Sequence, residues 1–371
     1  MKVIVTGGGT AGHVNPALSI AATIKRYDEN AEIEFVGTKK GIENSLVPKA
    51  GYNLNYIEVS GLIRSLSLEN VKVAYKAFKS YRDCLKLLKE KSPDVVVGTG
   101  GYVTWPVGRA AATLGIPVVL HEANAVPGFA LKMLRKKADV IFVNFEKTKM
   151  LLKGSKGELI RIGMPIHEDF YKYDKESARR SLGIPLDKKT ILSFGGSLGA
   201  KRLNDAVIDF MRDFVCKNEG FYHVHATGKR YYEECSARLD EYGISNDPSI
   251  CVSEYLYDIP RLMIASDVVI CRSGASTLSE LAASAKASVL VPSPNVTNNQ
   301  QYHNAKEFCD IGAAAMILDD QLNGEELGKC IKELFDDPCK LSEMGKAGSA
   351  FEVKDSDKIL FEKIKAIAKC N

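Results

Sequence analysis

The sequence contains no run approaching eighteen consecutive apolar residues, so it offers no candidate for a membrane-spanning helix. It also lacks any C-x-x-C pair. The nine cysteines (84, 216, 235, 251, 271, 309, 330, 339 and 370) are odd in number and widely scattered, which speaks against a disulfide framework and fits a reducing cytoplasm. No Pro-rich tether or low-complexity segment interrupts the chain. Met1-Lys2-Val3-Ile4-Val5 leads straight into a strand and a glycine loop, and the expectation is a chain made without a cleaved leader. What remains is 371 residues, 45% hydrophobic and 26% charged, an ordinary globular composition long enough for two cores. Disorder and collagen-like structure are excluded.

Charge is unevenly spread. The net value is only +4, but residues 1–162 hold 24 Lys and Arg against 14 Asp and Glu, while the rest hold 26 against 32. The basic first half therefore points to an anionic partner: phosphates, a membrane surface or nucleic acid. No nucleic-acid recognition motif or interleaved stacking aromatics accompany the charge, so nucleic acid is not expected.

Short β-branched runs alternate with longer amphipathic stretches. Residues 2–6, 32–36, 94–98, 117–120 and 140–143 read as buried parallel strands; a second series follows at 191–194, 222–225, 250–252, 268–271 and 288–291. This alternation predicts an α/β protein of two doubly wound domains. Each half opens alike: Gly8-Gly9-Thr10-Ala11-Gly12 and Gly195-Gly196-Ser197-Leu198-Gly199 lie 187 positions apart, each directly after a strand. Gly163-Met164-Pro165-Ile166-His167 reads as the linker, and the two domains are expected to face a cleft.

A strand that empties into glycines and then into a helix is a phosphate cradle or merely a tight strand-to-helix turn, and its repetition in the second half favours the cradle. Glycine lets the backbone approach an anion, and the open N–H groups of the helix start stabilise its charge. The first helix is expected over 17–25, starting near Asn15-Pro16. Gly7-x-Gly9-x-x-Gly12 also spells a dinucleotide fingerprint, but the second strand carries its acid, Glu34, inside instead of at its end. Two such loops suggest two phosphorylated substrates. A third cluster, Gly98-Thr99-Gly100-Gly101-Tyr102, either enlarges the first anion site or is a close backbone crossing.

His13, on the rim of the first loop, is either a base for a sugar hydroxyl or an anion-binding residue at the helix start. His121-Glu122-Ala123-Asn124 follows a strand and suits sugar hydroxyls, or else caps the next turn. Glu280, one turn beyond Ser276, can take both hydroxyls of a ribose, or else the pair is a helix start with a solvated face. Asn298-Asn299-Gln300-Gln301-Tyr302 is an amide-rich run fit for sugar hydroxyls or a loop surface. His223-x-His225 places two imidazoles on one strand face without a third ligand nearby, and no D-x-D pair falls in a loop at a strand end, so no metal is expected. Over 68–91, Val71, Ala74, Tyr75, Phe78, Tyr81, Leu85 and Leu88 form an apolar face beside a stripe of Lys72, Lys76, Lys79, Arg82, Lys86 and Lys89. That is a packed helix with solvated lysines, or a surface resting on anionic lipid together with Leu62, Ile63 and Leu66.

Taken in order, Gly8 to Ala17, Gly100-Gly101-Tyr102, His121 to Asn124, Gly195 to Ala200, Arg272-Ser273-Gly274-Ala275 through Glu280, and Gln300-Gln301-Tyr302 resemble the MurG N-acetylglucosaminyltransferases of bacterial peptidoglycan synthesis. The resemblance spans nearly the whole chain. It implies a GT-B fold of glycosyltransferase family 28, with residues 1–162 as acceptor and membrane-associating domain and 163–349 as UDP-GlcNAc domain. Residues 350–371 would form a C-terminal helix packing back on the first domain. It further implies inverting, cofactor-free and metal-independent transfer of GlcNAc to the C4 hydroxyl of undecaprenyl-diphospho-MurNAc-pentapeptide, at the cytoplasmic face of the membrane.

By position, His13 would be the base, with Glu122 orienting or supporting it. Thr10, Ala11, Gly12, Asn124, Ser197, Leu256, Ala275, Ser276, Thr277, Leu278, Glu280, Gln300 and Gln301 would hold the donor. Gly8, Gly9, Gly100, Gly101 and Tyr102 would hold the acceptor's diphosphate. Two positions depart from the family pattern: Ala11 replaces a glycine, and the linker has Met164 and His167 where relatives carry Asn and Arg, leaving His167 or Arg161 to replace a phosphate contact. A same-fold UDP-GlcNAc epimerase and a non-catalytic UDP-sugar-binding regulator are the alternatives. The epimerase would need no lipid-facing stripe, and the regulator would tolerate loss of His13.

Overall fold

A computed structural model describes residues 1–59 and 69–369. The chain divides into two compact units, Met1–Pro165 with Val353–Asn371, and Ile166–Glu352. In the first, strands β1 (Lys2–Thr6), β2 (Glu32–Gly37), β3 (Asn53–Tyr56), β4 (Val95–Gly98), β5 (Val118–Glu122), β6 (Val140–Val143) and β7 (Glu158–Arg161) form a parallel sheet in the order β3-β2-β1-β4-β5-β6-β7. In the second, β8 (Lys189–Phe194), β9 (Phe221–Ala226), β10 (Ile250–Ser253), β11 (Val268–Cys271), β12 (Ala287–Leu290) and β13 (Ala314–Met316) are ordered β10-β9-β8-β11-β12-β13.

The sheets are parallel because helices cover both faces, and their central strands accordingly read as unbroken apolar runs. Val95 and Val97 join Val3, Val5, Ile20 and Ile24 on one side of the first sheet, while Val96 joins Ile4, Val107 and Leu134 on the other. In the second sheet Ile191, Ile270 and Val289 pack on Leu203, Phe210 and Ile331. In each sheet the strand order reverses beside the opening strand, between β1 and β4 and between β8 and β11. The loops leaving those paired strands therefore emerge side by side at the carboxyl edge, where such folds bind ligands.

Three strands were absent from the expected series: β3, β7 and β13. All three are sheet edges with partly exposed residues, so neither a buried run nor a clean alternation marks them. The first helix differs as well. It begins at Ala11, directly out of the glycine loop, and runs to Tyr27 with Pro16 inside it, instead of starting near Asn15-Pro16. His13 is therefore a first-turn residue. Glu34, the acid weighed for a dinucleotide, sits mid-strand and is paired with Lys91 at 2.9 Å and with Asn55 at 2.8 Å.

The C-terminal helix Ser356–Lys369 buries Leu360 and Ile364 in the core of the first unit, and Phe361 stacks on Tyr27 with ring centroids 5.1 Å apart. In the basic helix Glu69–Lys91, Cys84 and Leu88 are buried, whereas Phe78, expected on the packed face, is 59% exposed beside exposed Lys76, Lys79 and Arg82. Leu62, Ile63 and Leu66 lie outside the described residues.

Candidate active site

The loops after β1 and β4 interlock. Gly8 N–H donates to the Gly100 carbonyl at 3.4 Å, and a Cβ on Gly101 would run into the Gly8 carbonyl. Gly100 has φ of +108°, and a side chain there would meet His13 Nδ1 at 2.6 Å, so only glycine permits both the turn and the ring beside it. Thr99 then clasps His13 twice, its Oγ1 donating to the His13 carbonyl at 2.7 Å and its own carbonyl lying 3.1 Å from Nδ1. A carbonyl can only accept, so Nδ1 carries the hydrogen and Nε2 keeps its lone pair. Burial holds the His13 pKa below 6.5 despite the Thr99 carbonyl, which keeps the imidazole neutral at neutral pH.

Gly9 N–H, expected to face the acceptor's diphosphate, instead donates to the carboxylate of Glu43 at 3.0 Å. The ring of Tyr102 closes over Gly9, its hydroxyl 3.5 Å from Thr38 Oγ1. Glu43 and Thr38 are the pieces that sequence reasoning missed; their only local signal is the spacing Gly37-Thr38-x-x-Gly41-x-Glu43 after β2.

At the end of β5, Glu122 is buried and both its oxygens are taken by the following turn. One accepts Gly128 N–H at 2.7 Å, the other Asn124 N–H at 3.0 Å and its amide at 3.3 Å. Burial pushes its carboxyl up to about 7 against those donors. The carboxylate thus shapes the loop that carries Asn124. His121 is also buried, 3.3 Å from the Gly163 carbonyl, with its pKa lowered to about 4 by desolvation.

In the second unit, Gly199 packs against the Thr227 carbonyl, while Ser197 is exposed and Leu198 is 76% exposed. By letters, Gly195 to Gly199 also spells the nucleophile-elbow pattern G-x-S-x-G. The two strand histidines, His223 and His225, are nonetheless spent on a different hydroxyl, Ser193 Oγ, at 2.7 Å each. That pairing also accounts for the two imidazoles on one face weighed for a metal.

The helix Ala275–Ala283 begins on extended Gly274 with no side-chain cap and no acid in its first turn, leaving an open helix start. Leu278 is buried and its N–H closes the first helical bond to the Gly274 carbonyl, so Ala275, Ser276 and Thr277 make up that start. Side-chain bonds draw the next loop against it: Ser273 Oγ donates to the Gln301 carbonyl at 2.8 Å, and Gln301 Oε1 accepts Ser293 N–H at 2.8 Å. Asn298 and Asn299 are consecutive left-handed residues (φ 55° and 50°) that launch the helix Gln300–Asp310. Each costs about 1 kcal/mol or more, strain of the kind kept at binding sites. Glu280 is half-buried, and burial alone pushes its carboxyl up to about 7.

Leu256 lies between Tyr255 and Tyr257, whose rings are 5.0 Å apart, on the loop after β10. His167 caps the turn Glu168–Tyr171 by accepting Asp169 N–H at 3.3 Å, and Arg161 Nε donates to the Asn144 carbonyl at 3.2 Å. Both candidates for the missing linker arginine therefore have bonds of their own.

Residues 3–143 match the glycosyltransferase family 28 N-terminal domain and residues 190–360 the glycosyltransferase family 28 C-terminal domain. The chain is 40% identical over 349 residues, 94% of its length and 93% of the relative's, to a UDP-N-acetylglucosamine–N-acetylmuramyl-(pentapeptide) pyrophosphoryl-undecaprenol N-acetylglucosamine transferase of Desulforamulus reducens. Among solved structures it resembles Acinetobacter baumannii MurG, with a TM-score of 0.80 at 27% identity, covering 98% of this chain and 99% of that one. A UDP-GlcNAc 2-epimerase from Neisseria meningitidis shares the fold, with a TM-score of 0.66 at 14% identity over 99% and 100% of the two chains.

Proposed function

The chain belongs to glycosyltransferase family 28, and from that premise we propose how its residues divide the work of one reaction. The protein is an N-acetylglucosaminyltransferase: it moves GlcNAc from UDP-GlcNAc to the C4 hydroxyl of undecaprenyl-diphospho-MurNAc-pentapeptide. His13 Nε2 takes the hydroxyl proton as that oxygen attacks C1 of GlcNAc. The bond from C1 to the UDP oxygen breaks with its electron pair going to the diphosphate, and the α-linked donor becomes a β-linked product. The observation that carries this assignment is the Thr99 carbonyl on His13 Nδ1, which leaves a neutral ring with its lone pair on Nε2.

The other roles are assigned by position in the family pattern. Ser197 and the start at Ala275, Ser276 and Thr277 receive the donor's diphosphate and stabilise the charge on departing UDP. Glu280 takes the ribose hydroxyls, Leu256 lies against uracil, and Gln300 and Gln301 hold GlcNAc. Gly8, Gly100, Gly101 and Tyr102 line the acceptor's diphosphate. Glu122 acts by fixing Asn124.

No helix among the described residues is long and apolar enough to cross a membrane. The enzyme works from the cytoplasmic face, resting on anionic lipid through the stripe of Lys76, Lys79, Arg82, Lys86 and Lys89 with exposed Phe78 among them. Pelleting with anionic vesicles should weaken with salt and when Lys72, Lys76 and Lys79 are changed to Glu; salt-insensitive or unaltered binding contradicts the surface.

The reaction is tested by UDP release from UDP-GlcNAc in EDTA, with and without a short-chain lipid-linked muramyl-pentapeptide. Acceptor-dependent release with a β-linked disaccharide is expected. Acceptor-independent conversion of the donor would mark an epimerase, and binding without turnover a regulator.

A further inference from the structure

Glu43 is the least expected group in the first unit: a carboxylate, 1% exposed, beneath a loop that should attract anions. Its surroundings are built around it. Oε1 accepts Thr38 N–H at 3.0 Å and Thr38 Oγ1 at 2.8 Å, and Oε2 accepts Gly9 N–H at 3.0 Å. Three donors and no acceptor converge on it, the set that suits a carboxylate. The space it fills exists because neighbouring positions have no side chain: a Cβ on Gly8 would lie 2.8 Å from its carboxyl carbon, and one on Gly37 2.6 Å from its Cγ.

The carboxylate is joined to the base through the loops. Gly9, held by Glu43, lies under the Tyr102 ring, 2.8 Å from where its Cβ would be; the next residue back, Gly8, bonds the Gly100 carbonyl; Gly100 abuts the His13 ring; and Thr99 fixes its Nδ1. We propose that Glu43 is a positioning residue for the transfer reaction: it occupies the Gly9 N–H in place of substrate phosphate and holds the first glycine loop in the shape that presents His13 and Tyr102 to the acceptor. The acceptor's diphosphate is thereby confined to the outer rim of Gly8, Gly100, Gly101 and Tyr102. This rests on the acceptor-side reading above.

The test compares Glu43→Gln, Thr38→Val and Thr38→Ser in the full-length enzyme. Gln keeps the shape but turns an N–H donor toward either Gly9 or Thr38, and Val removes the hydroxyl that orients Glu43, whereas Ser retains it. Acceptor-dependent UDP release should fall about tenfold or more in Glu43→Gln and Thr38→Val, as expected for a slightly displaced base, and recover in Thr38→Ser. UDP-GlcNAc affinity should stay close to that of the unaltered enzyme, while the melting temperature falls by about a few degrees for the unsatisfied buried donor. Turnover within twofold of the unaltered enzyme in both variants, or a loss matched by weaker donor binding, overturns the assignment. If Glu43→Gln does not fold, the Thr38 pair decides: equal turnover in Val and Ser rejects it. Failure of the unaltered enzyme to release UDP with acceptor would strike the reaction itself, a different outcome.

Discussion

The two halves of the molecule open with the same device, a strand, a glycine turn and a helix, and use it in opposite ways. The first loop is packed: its Gly9 N–H is spent on Glu43, its glycines abut Tyr102, Gly100 and His13, and what it presents is the His13 ring. The second leaves Ser197 and Leu198 exposed and stands beside an uncapped helix start. A glycine-rich turn is therefore not in itself an anion site. Whether its N–H groups face a ligand depends on what the rest of the domain has placed behind them.

Short of removing the His13 ring itself, the largest effect should come from wedging the packed loop apart. Gly100→Ala places a methyl against the His13 ring at a position where φ is +108°, and turnover should fall about a hundredfold while UDP-GlcNAc affinity, measured by titration, stays unchanged. Loss of donor affinity in that variant would dissolve the distinction between the halves.

Glu280→Gln sharpens the comparison from the other side. Donor affinity should fall about tenfold or more, since a carboxylate accepts hydroxyls better than an amide. Stability should move the opposite way. Burial raises the native pKa of Glu280 from 4.5 to about 7, so its stabilising effect is complete below about pH 4.5 and is lost as pH rises through about 7. The variant should therefore melt higher than the unaltered enzyme at pH 8, by the equivalent of about 1–3 kcal/mol, and equally at pH 4. Differential scanning calorimetry at the two pH values checks this.

His167→Ala should show the smallest effect, about a two- to threefold rise in the donor KM, because the side chain is an exposed cap that accepts Asp169 N–H. An unchanged KM removes His167 from the donor site.

What was legible in the sequence follows from burial. The central strands announced themselves as apolar runs such as Val95-Val96-Val97, and both glycine loops by composition. The edge strands β3, β7 and β13 did not, because a half-exposed edge carries mixed residues such as Asn53-Leu54-Asn55-Tyr56. Pro16 suggested a helix start and was instead accommodated within the second turn. Glu43 was invisible for a different reason: its partners Gly9 and Thr38 come together only when β2 is laid beside β1, and no local pattern reports that contact. Phe78 was misplaced because helical spacing identifies a face without stating whether protein covers all of it.

The most direct measurement is UDP release by His13→Ala with saturating lipid-linked acceptor, paired with titration of UDP-GlcNAc into the same protein. A loss of about a hundred- to ten-thousandfold in turnover with unchanged donor affinity is the predicted result. Retained turnover would contradict the account, because the packed loop would then be presenting something other than the base.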